Sequence, residues 1–287
     1  MPLISAGALV GPAWRARRGV GAFNVIGIEH AEAIVAGAQA ADAPVILQLS
    51  ENCVAYHGSV VPIGSALLRV AAAARVPVAV HLDHATNADL VKEAAGLGFG
   101  SVMFDAAVLS YADNVAATAA IAEWCHERGL WVEAELGEIG GKDGVHAPGA
   151  RTDPAQAAAF VRATAVDALA VAVGSSHAML TRDAVVDLDL VGRIATAVPV
   201  PLVLHGSSGV PDDALGAAIA AGLTKINVAT QLNKVFTGAV RGCLAESETL
   251  TDPRRYLTAG RAAVATEVSR LLVDVLGARQ GAASEPV

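Results

Sequence analysis

The stretch VAVHLDHATNADLVKEAAGLGFGSVMFD, Val78–Asp105, reads as strand, helix and strand in one unbroken run. Val78–Leu82 is a short apolar segment of the kind that forms a strand buried on both faces. Thr86 and Asn87 supply the side-chain acceptors that start a helix, and Ala88–Leu97 carries its apolar residues at helical spacing. Ser101–Phe104 is the next short apolar run. Two strands joined by a helix lie parallel, because the crossover returns the chain to the same end of the sheet.

The unit recurs in both directions. Upstream stand Gly21–Val25 and Val45–Leu49, followed by helical patterns over Glu29–Ala41 and Ile63–Ala74. Downstream the strands are Trp131–Leu136, Ala168–Val173, Pro201–Leu204 and Lys225–Val228. The intervening helical patterns are Tyr111–Arg128, Pro154–Thr164, Leu188–Ala197 and Pro211–Ala221; Gln231–Leu244 and a last helix, Gly260–Leu276, close the chain. Eight strand–helix units at about 30-residue spacing predict an α/β fold, a single (β/α)8 TIM barrel over residues 1–287 with an additional C-terminal helix. Residues 277–287 are expected to form a flexible tail. An open doubly wound sheet is the competing architecture. It calls for a GxGxxG turn after the first strand, and GAFNVIG (Gly21–Gly27) is not one.

The chain holds 28 acidic and 20 basic residues, a net charge of −8, which argues against nucleic acid as a partner. Apolar residues make up 54% of it, enough to bury a core and to exclude disorder. A mean hydropathy of +0.49 raises the question of a membrane. The longest uncharged stretches, Asn52–Leu68 and Ile194–Pro211, are broken by His, Gly and Pro and are not the ~20-residue apolar segment a spanning helix needs. MPLISAGALVGPAWRARRG at the start places its basic residues after the apolar ones, the reverse of a signal peptide. Cys53, Cys125 and Cys243 are widely separated with no CxxC, so a reducing, cytoplasmic location is expected.

A barrel carries its chemistry at the C-terminal ends of its strands. The residues there are Asn24, His81, Asp83, His84, Asp105, Glu133, Glu135, His177, His205 and Asn227. One histidine at a strand end is more often a hydrogen-bonded structural residue than a ligand; histidines at the same end of three different strands, beside carboxylates, suggest a zinc site. Alternation puts His81 and Asp83 on one face of their strand and Leu82 and His84 on the other, so periodicity alone does not choose among them. Glu133 and Glu135 share a face, with the outer Glu135 expected nearer the mouth.

Two turns suggest phosphate. His205-Gly206-Ser207-Ser208-Gly209 leads into a helix and offers backbone N–H groups and two hydroxyls, and Asn227–Thr230 does the same after the eighth strand. One Gly/Ser turn is ordinary loop chemistry; two at neighbouring strands favour an anion. The glycine-rich loop Gly137–Gly149 has the length of a mobile lid, and Asp143 on it is a carboxylate that closure would deliver.

Together GAFNV (21–25), HLDHA (81–85), SVMFD (101–105), VEAELG (132–137), VGSSHA (173–178), LVLHGSSGVP (202–211), KINVAT (225–230) and DPRRYL (252–257) resemble the class II, zinc-dependent ketose-bisphosphate aldolases over nearly the whole chain. The resemblance implies zinc, with a second monovalent or divalent cation as a further possibility. His84, His177 and His205 match the zinc ligands, and Asp105 and Glu135 match carboxylates at an alternative metal position. Asp83 matches the catalytic aspartate. Gly206, Ser207, Ser208, Asn227, Val228, Ala229 and Thr230 match the phosphate cradle, which Ala178 adjoins. Asn24 matches a substrate contact, Arg254 a cation for the second phosphate, and Asp143 the loop residue that moves a proton at the substrate carbon.

The implied activity is reversible cleavage of fructose 1,6-bisphosphate to dihydroxyacetone phosphate and an aldehyde such as glyceraldehyde 3-phosphate, by zinc-stabilised enediolate chemistry, in a cytoplasmic homodimer or homotetramer. Tagatose 1,6-bisphosphate or another ketose phosphate is the alternative substrate, and a catalytically silent sugar-phosphate binder is the non-enzyme alternative. Four departures bear on the sugar: Lys142-Asp143 in place of a pair richer in Glu or Gln, Ala178 for glycine, Ala229 for the aspartate of many fructose-bisphosphate enzymes, and Gln231 for an acidic residue. A Schiff-base aldolase is the rival chemistry. Of the lysines Lys92, Lys142, Lys225 and Lys234 only Lys225 falls on a predicted strand, and at its start.

Overall fold

The computed structural model describes residues 3–136, 151–175, 179 and 181–278. Its strands are β1 (Val20–Asn24), β2 (Val45–Ser50), β3 (Val78–Ala85), β4 (Ser101–Phe104), β5 (Trp131–Leu136), β6 (Ala168–Val171), β7 (Leu202–Leu204) and β8 (Leu223–Val228). They form a closed barrel in sequence order, all parallel, with Val20 beside Lys225 and Ala22 beside Asn227 where β1 meets β8. The helices are α1 (Ala6–Arg15), α2 (Ile28–Ala41), α3 (Glu51–His57), α4 (Val60–Ala73), α5 (Ala88–Leu97), α6 (Tyr111–His126), α7 (Pro154–Thr164), α8 (Leu188–Ala197), α9 (Asp212–Ala221), α10 (Thr230–Ala245) and α11 (Pro253–Arg270). The start signals act as expected. The Asn87 side chain accepts from Asp89 N–H at the head of α5, and Asp153 accepts from Gln156 N–H at the head of α7, with Pro154 in the first turn.

Strand alternation sorts the side chains into two sets. Leu47, Leu49, Val80, Leu82, Val102, Val132, Leu169 and Leu204 point outward into the core beneath the helices. Val20, Ala22, Ile46 and Ala79 point inward and pack against Ala6, Leu9, Val10 and Ala13 of α1. Helix α1 therefore plugs the N-terminal end of the barrel. Gly7 permits its approach, since a Cβ there would sit 2.7 Å from the Trp131 ring. The apolar floor leaves the inward polar residues, from Gln48 and His81 up to Asn24, Asp83 and His205, for the middle and mouth. Asn24, Asp83 and His205 reach the cavity described next, and Gln48 and His81 lie beneath it.

The sequence pattern did not anticipate α1 or α3. Helix α1 contains Pro12, which ordinarily argues against a helix interior, and α3 is a short helix inside a stretch read only for its lack of charge. Strand β3 runs on to Ala85 and β8 begins at Leu223, so Lys225 is an interior residue of its strand rather than its first. The last helix starts at Pro253, well before Gly260, and passes into a π-helical turn over Leu271–Val275. Ala278 is buried and its N–H bonds Leu272 O at 2.9 Å, so the chain is packed to that point; 279–287 of the expected tail lie outside the described residues. Among the described residues no single helix is long and apolar enough to cross a membrane.

Candidate active site

The mouth of the barrel holds a cavity of about 180 Å³ lined by Asn24, Ser50, Asn52, Asp83, His84, His205, Gly206, Ser208, Asn227, Ala229 and Thr230. Consecutive residues Asp83 and His84 both reach it because β3 is irregular. Its register against β4 shifts between Leu82 and Ala85, and His84 has a left-handed backbone, φ 50°. A regular strand would turn one of the two side chains away.

Asp83, His84 and His205 offer one ligand atom each, all within 4.8 Å of one another, and His84, Asp105 and Glu135 form a second such group. His84 Nδ1 lies 2.7 Å from Asp105 Oδ2 and 3.8 Å from Glu135 Oε2. Burial would lower the His84 imidazolium, but Asp83, the Asp105 hydrogen bond and the Glu135 charge outweigh it and push the group up to about 9. For Asp83 burial acts upward; His84, His205 and Lys225, with the Asn24 hydrogen bond, overcome it and hold the carboxyl below its usual range. Asp83 is thus a buried carboxylate, with Asn24 Nδ2 donating to Oδ2 at 3.1 Å and Asn227 Nδ2 to Oδ1 at 3.4 Å.

Beneath this layer Glu133 receives His205 Nε2 at 2.9 Å and Lys225 Nζ at 2.9 Å, and all three side chains are buried. His81 Nε2 is 3.8 Å from Glu133, and its Nδ1 is 2.9 Å from Ser101 Oγ. Burial and the Lys225 charge keep His81 well below an ordinary histidine, so it sits in the barrel as a neutral imidazole. Glu135 accordingly belongs to the mouth and Glu133 to the interior. The Lys225 amine is engaged by Glu133 and by Asn227 Oδ1 at 2.8 Å, which leaves no free nucleophile for a Schiff base at that position.

The turn after β7 is held at Gly206, φ 69°, and continues as a 3-10 turn over Ser207–Gly209. Ser207 Oγ donates to Asn227 O, and Ser208 Oγ accepts from Gln231 N–H at 3.1 Å, locking this turn to the head of α10. Gly206, Ser208, Ala229 and Thr230 meet the cavity there, beside the N-terminus of a 16-residue helix, which attracts an anion. The Val228 side chain is in the outer core, and Ser207 is buried behind the turn. Arg254 is not brought to the cavity: it stands in the first turn of α11, 88% exposed, with its guanidinium on Asp252. His177, Ala178 and Asp143 lie outside the described residues.

Sequence reasoning missed Gln48, Ser50 and Asn52. Gln48 Nε2 donates to Asn24 Oδ1 at 2.8 Å and so turns the Asn24 amide toward Asp83. The signal was available, since Gln48 is the one polar side chain within VILQL (Val45–Leu49).

A family model described as fructose-bisphosphate aldolase class-II matches residues 5–280. A Geobacillus stearothermophilus relative named fructose-bisphosphate aldolase is 37% identical over 273 residues, 93% of this chain and 95% of that one. The crystal structure of the YdjI aldolase from Escherichia coli K12 matches with a TM-score of 0.85 at 29% identity, over 96% of this chain and 98% of that one. The fructose-bisphosphate aldolase of Campylobacter jejuni shares the fold, with a TM-score of 0.78 at 20% identity over 97% of both chains. This chain belongs to the class-II fructose-bisphosphate aldolase family.

Proposed function

We propose that the protein is a zinc-dependent aldolase that reversibly cleaves a ketose 1,6-bisphosphate, with fructose 1,6-bisphosphate as its substrate, to dihydroxyacetone phosphate and glyceraldehyde 3-phosphate. The observation that carries this is the convergence of Asp83, His84 and His205 beside the turn of Gly206 and Ser208 in one cavity. The donor set fits zinc: two imidazoles and carboxylates suit a borderline divalent ion, and Asp105 on His84 Nδ1 is the carboxylate support such ligands carry. His84 and His205, with His177, would hold the ion; Asp105 and Glu135 offer it a second position. Zinc so held supplies Lewis acidity for the charge that develops at C3 when the C3–C4 bond breaks.

The chain's own groups do the rest. Ionised Asp83, oriented by Asn24 and Asn227, takes the C4 hydroxyl proton in cleavage and returns it in condensation. The helix α10 N-terminus, the Ser208 hydroxyl and Thr230 bind the phosphate next to C1 and fix the reacting carbons over His84 and His205. Asp143 provides the proton at C3. The cytoplasm, and assembly as a homodimer or homotetramer, complete this reading. The backbone N–H groups of the turn after β7 and of the α10 N-terminus supply local attraction for an anionic substrate in a protein of net charge −8.

The test is a coupled assay for dihydroxyacetone phosphate with fructose and tagatose 1,6-bisphosphates, before and after chelation and zinc return. Chelator-sensitive, zinc-restored cleavage with fructose preferred is expected. Preference for tagatose 1,6-bisphosphate would overturn the substrate. Full activity after chelation, or zinc occupancy without cleavage of either sugar, would overturn the mechanism.

A further inference from the structure

Lys225 lies far from the mouth by its backbone, opposite Val20 at the start of β1, yet its side chain runs up the barrel interior. Its Nζ is 2.9 Å from Glu133 Oε2 and 2.8 Å from Asn227 Oδ1, and Lys225 and Glu133 are fully buried. An ammonium donates and never accepts, so its contact with Asn227 must be to the amide oxygen. That fixes which way the amide faces: Nδ2 is turned to Asp83 Oδ1 at 3.4 Å and to the His205 ring, 3.2 Å from Nδ1 and 3.3 Å from Nε2. A carboxylate only accepts, so Glu133 Oε1 accepts a hydrogen bond from His205 Nε2–H at 2.9 Å. The charge-assisted contact is the shorter and stronger of the two at Nε2, which puts the ring proton there and leaves Nδ1 as the nitrogen whose lone pair can meet a metal ion, while the Asn227 amide keeps its contact with Asp83.

We infer that the buried Lys225–Glu133 pair is a positioning device that holds His205 as its Nε2–H tautomer, presenting Nδ1 to the metal, and simultaneously aims the Asn227 amide at Asp83. One ammonium thereby sets the orientation of a metal ligand and of the group that steadies the catalytic carboxylate. The pair also explains why two charges occupy the barrel interior. Glu133 alone would be an uncompensated buried carboxylate, and Lys225 alone would be an uncompensated ammonium; together they are neutral, and each still has a contact to give. Neither Lys225 nor Glu133 touches the cavity, so this is orientation acting through His205 and Asn227. The inference rests on the zinc reading for what Nδ1 meets, and on the hydrogen bonds alone for the tautomer.

Two measurements on the full chain separate these. The first is the His205 tautomer, read by nitrogen-15 NMR of histidine-labelled, metal-free protein. The second is the zinc dissociation constant by chelator competition. Both are made on wild type and on Lys225→Met/Glu133→Gln, a pair of changes that keeps the interior neutral and near its native volume. Wild type is expected to show the Nε2–H form. The double variant should lose that preference and bind zinc about 10- to 100-fold more weakly, the usual loss for outer-shell partners. Glu133→Gln alone would leave the Lys225 ammonium uncompensated, so the neutral double variant is the one that separates orientation from charge balance. A His205 Nδ1–H form in wild type overturns the inference, as does a folded double variant whose tautomer and zinc affinity match wild type. Failure of wild type to bind zinc, with the Nε2–H form present and lost in the variant, overturns the zinc reading and leaves the positioning role standing.

Discussion

His84 Nδ1 and Asp105 Oδ2 lie 2.7 Å apart at the point where strands β3 and β4 slip out of register. The contact and the slip belong together. Left-handed backbone at a non-glycine residue costs on the order of 1 kcal/mol or more and persists only where surrounding contacts over-determine it. At His84, φ 50°, those contacts are Asp105 and Glu135, which capture the imidazole once it has turned to the side Asp83 already faces. Asp105→Ala should leave the barrel folded but weaken zinc binding about 10- to 100-fold, because the ring loses the partner that fixes its angle. Chelator competition on a variant with native circular dichroism measures this; an unchanged dissociation constant would remove Asp105 from that role.

The charge state of the metal-free site predicts proton release. Burial disfavours the His84 imidazolium, yet Asp83, Asp105 and Glu135 raise it from 6.5 to about 9. Between those values the folded, metal-free protein keeps a proton that a free histidine has lost. Zinc must expel it, so affinity rises with pH up to about 9, at most tenfold per unit for one proton. Calorimetric titration of zinc at about pH 7.5, in buffers with different ionisation heats, should show about one proton released on this account. Heats independent of the buffer would contradict it.

Asp83 predicts a separable loss. Its carboxylate is fixed by Asn24 and Asn227, and its charge is stabilised by His84, His205 and Lys225. Asp83→Asn keeps the shape and removes the base, so kcat should fall about 10²- to 10⁴-fold. Zinc content by elemental analysis should stay near wild type, since His84 and His205 remain. Retained turnover in that variant would assign the C4 proton to another group.

Much of the fold was legible because a short apolar run and a capped helix are local signals. The bounds of β4, β5, α5, α7 and α8 coincide with those read from the pattern. What could not be read depends on neighbours. Pro12 in α1 is tolerated because the helix is packed onto the barrel floor, a tertiary gain that no propensity contains. The irregularity at His84 arises between two strands, so the HLDH spacing left Asp83 and His84 on opposite faces. Lys225 looked remote because sequence gives the position of its Cα and not the reach of its side chain. Arg254 shows the converse: a cation at a suggestive place in the sequence stands on the outside of α11.

A last prediction concerns the support behind the phosphate turn. Arg182 donates to Val210 O and to Asp212, Arg270 spans Asp212 and Glu267 at 2.7 and 2.8 Å, and Gln231 Nε2 donates to Glu267 at 3.0 Å. Gln231 N–H in turn meets Ser208 Oγ, so the ion network ends on the cradle. An acid at position 231 would face Glu267 and repel it, which accounts for an amide here. Burial acts to raise the Asp212 carboxyl, and the two arginines overcome it and lower the group below 3.8. A depressed folded value means the native state binds fewer protons than the unfolded one. The stabilisation is therefore present above the unfolded carboxylate range and is lost as pH falls through the folded value. Asp212→Asn should cost about 1 kcal/mol at neutral pH, no more, because the carboxylate is partly exposed and screened by water. Urea unfolding of both proteins at neutral pH and again near the carboxylate range should show that gap closing as the solution is acidified. A gap that stays constant or widens in acid would mean that Asp212 stabilises the chain by something other than its charge.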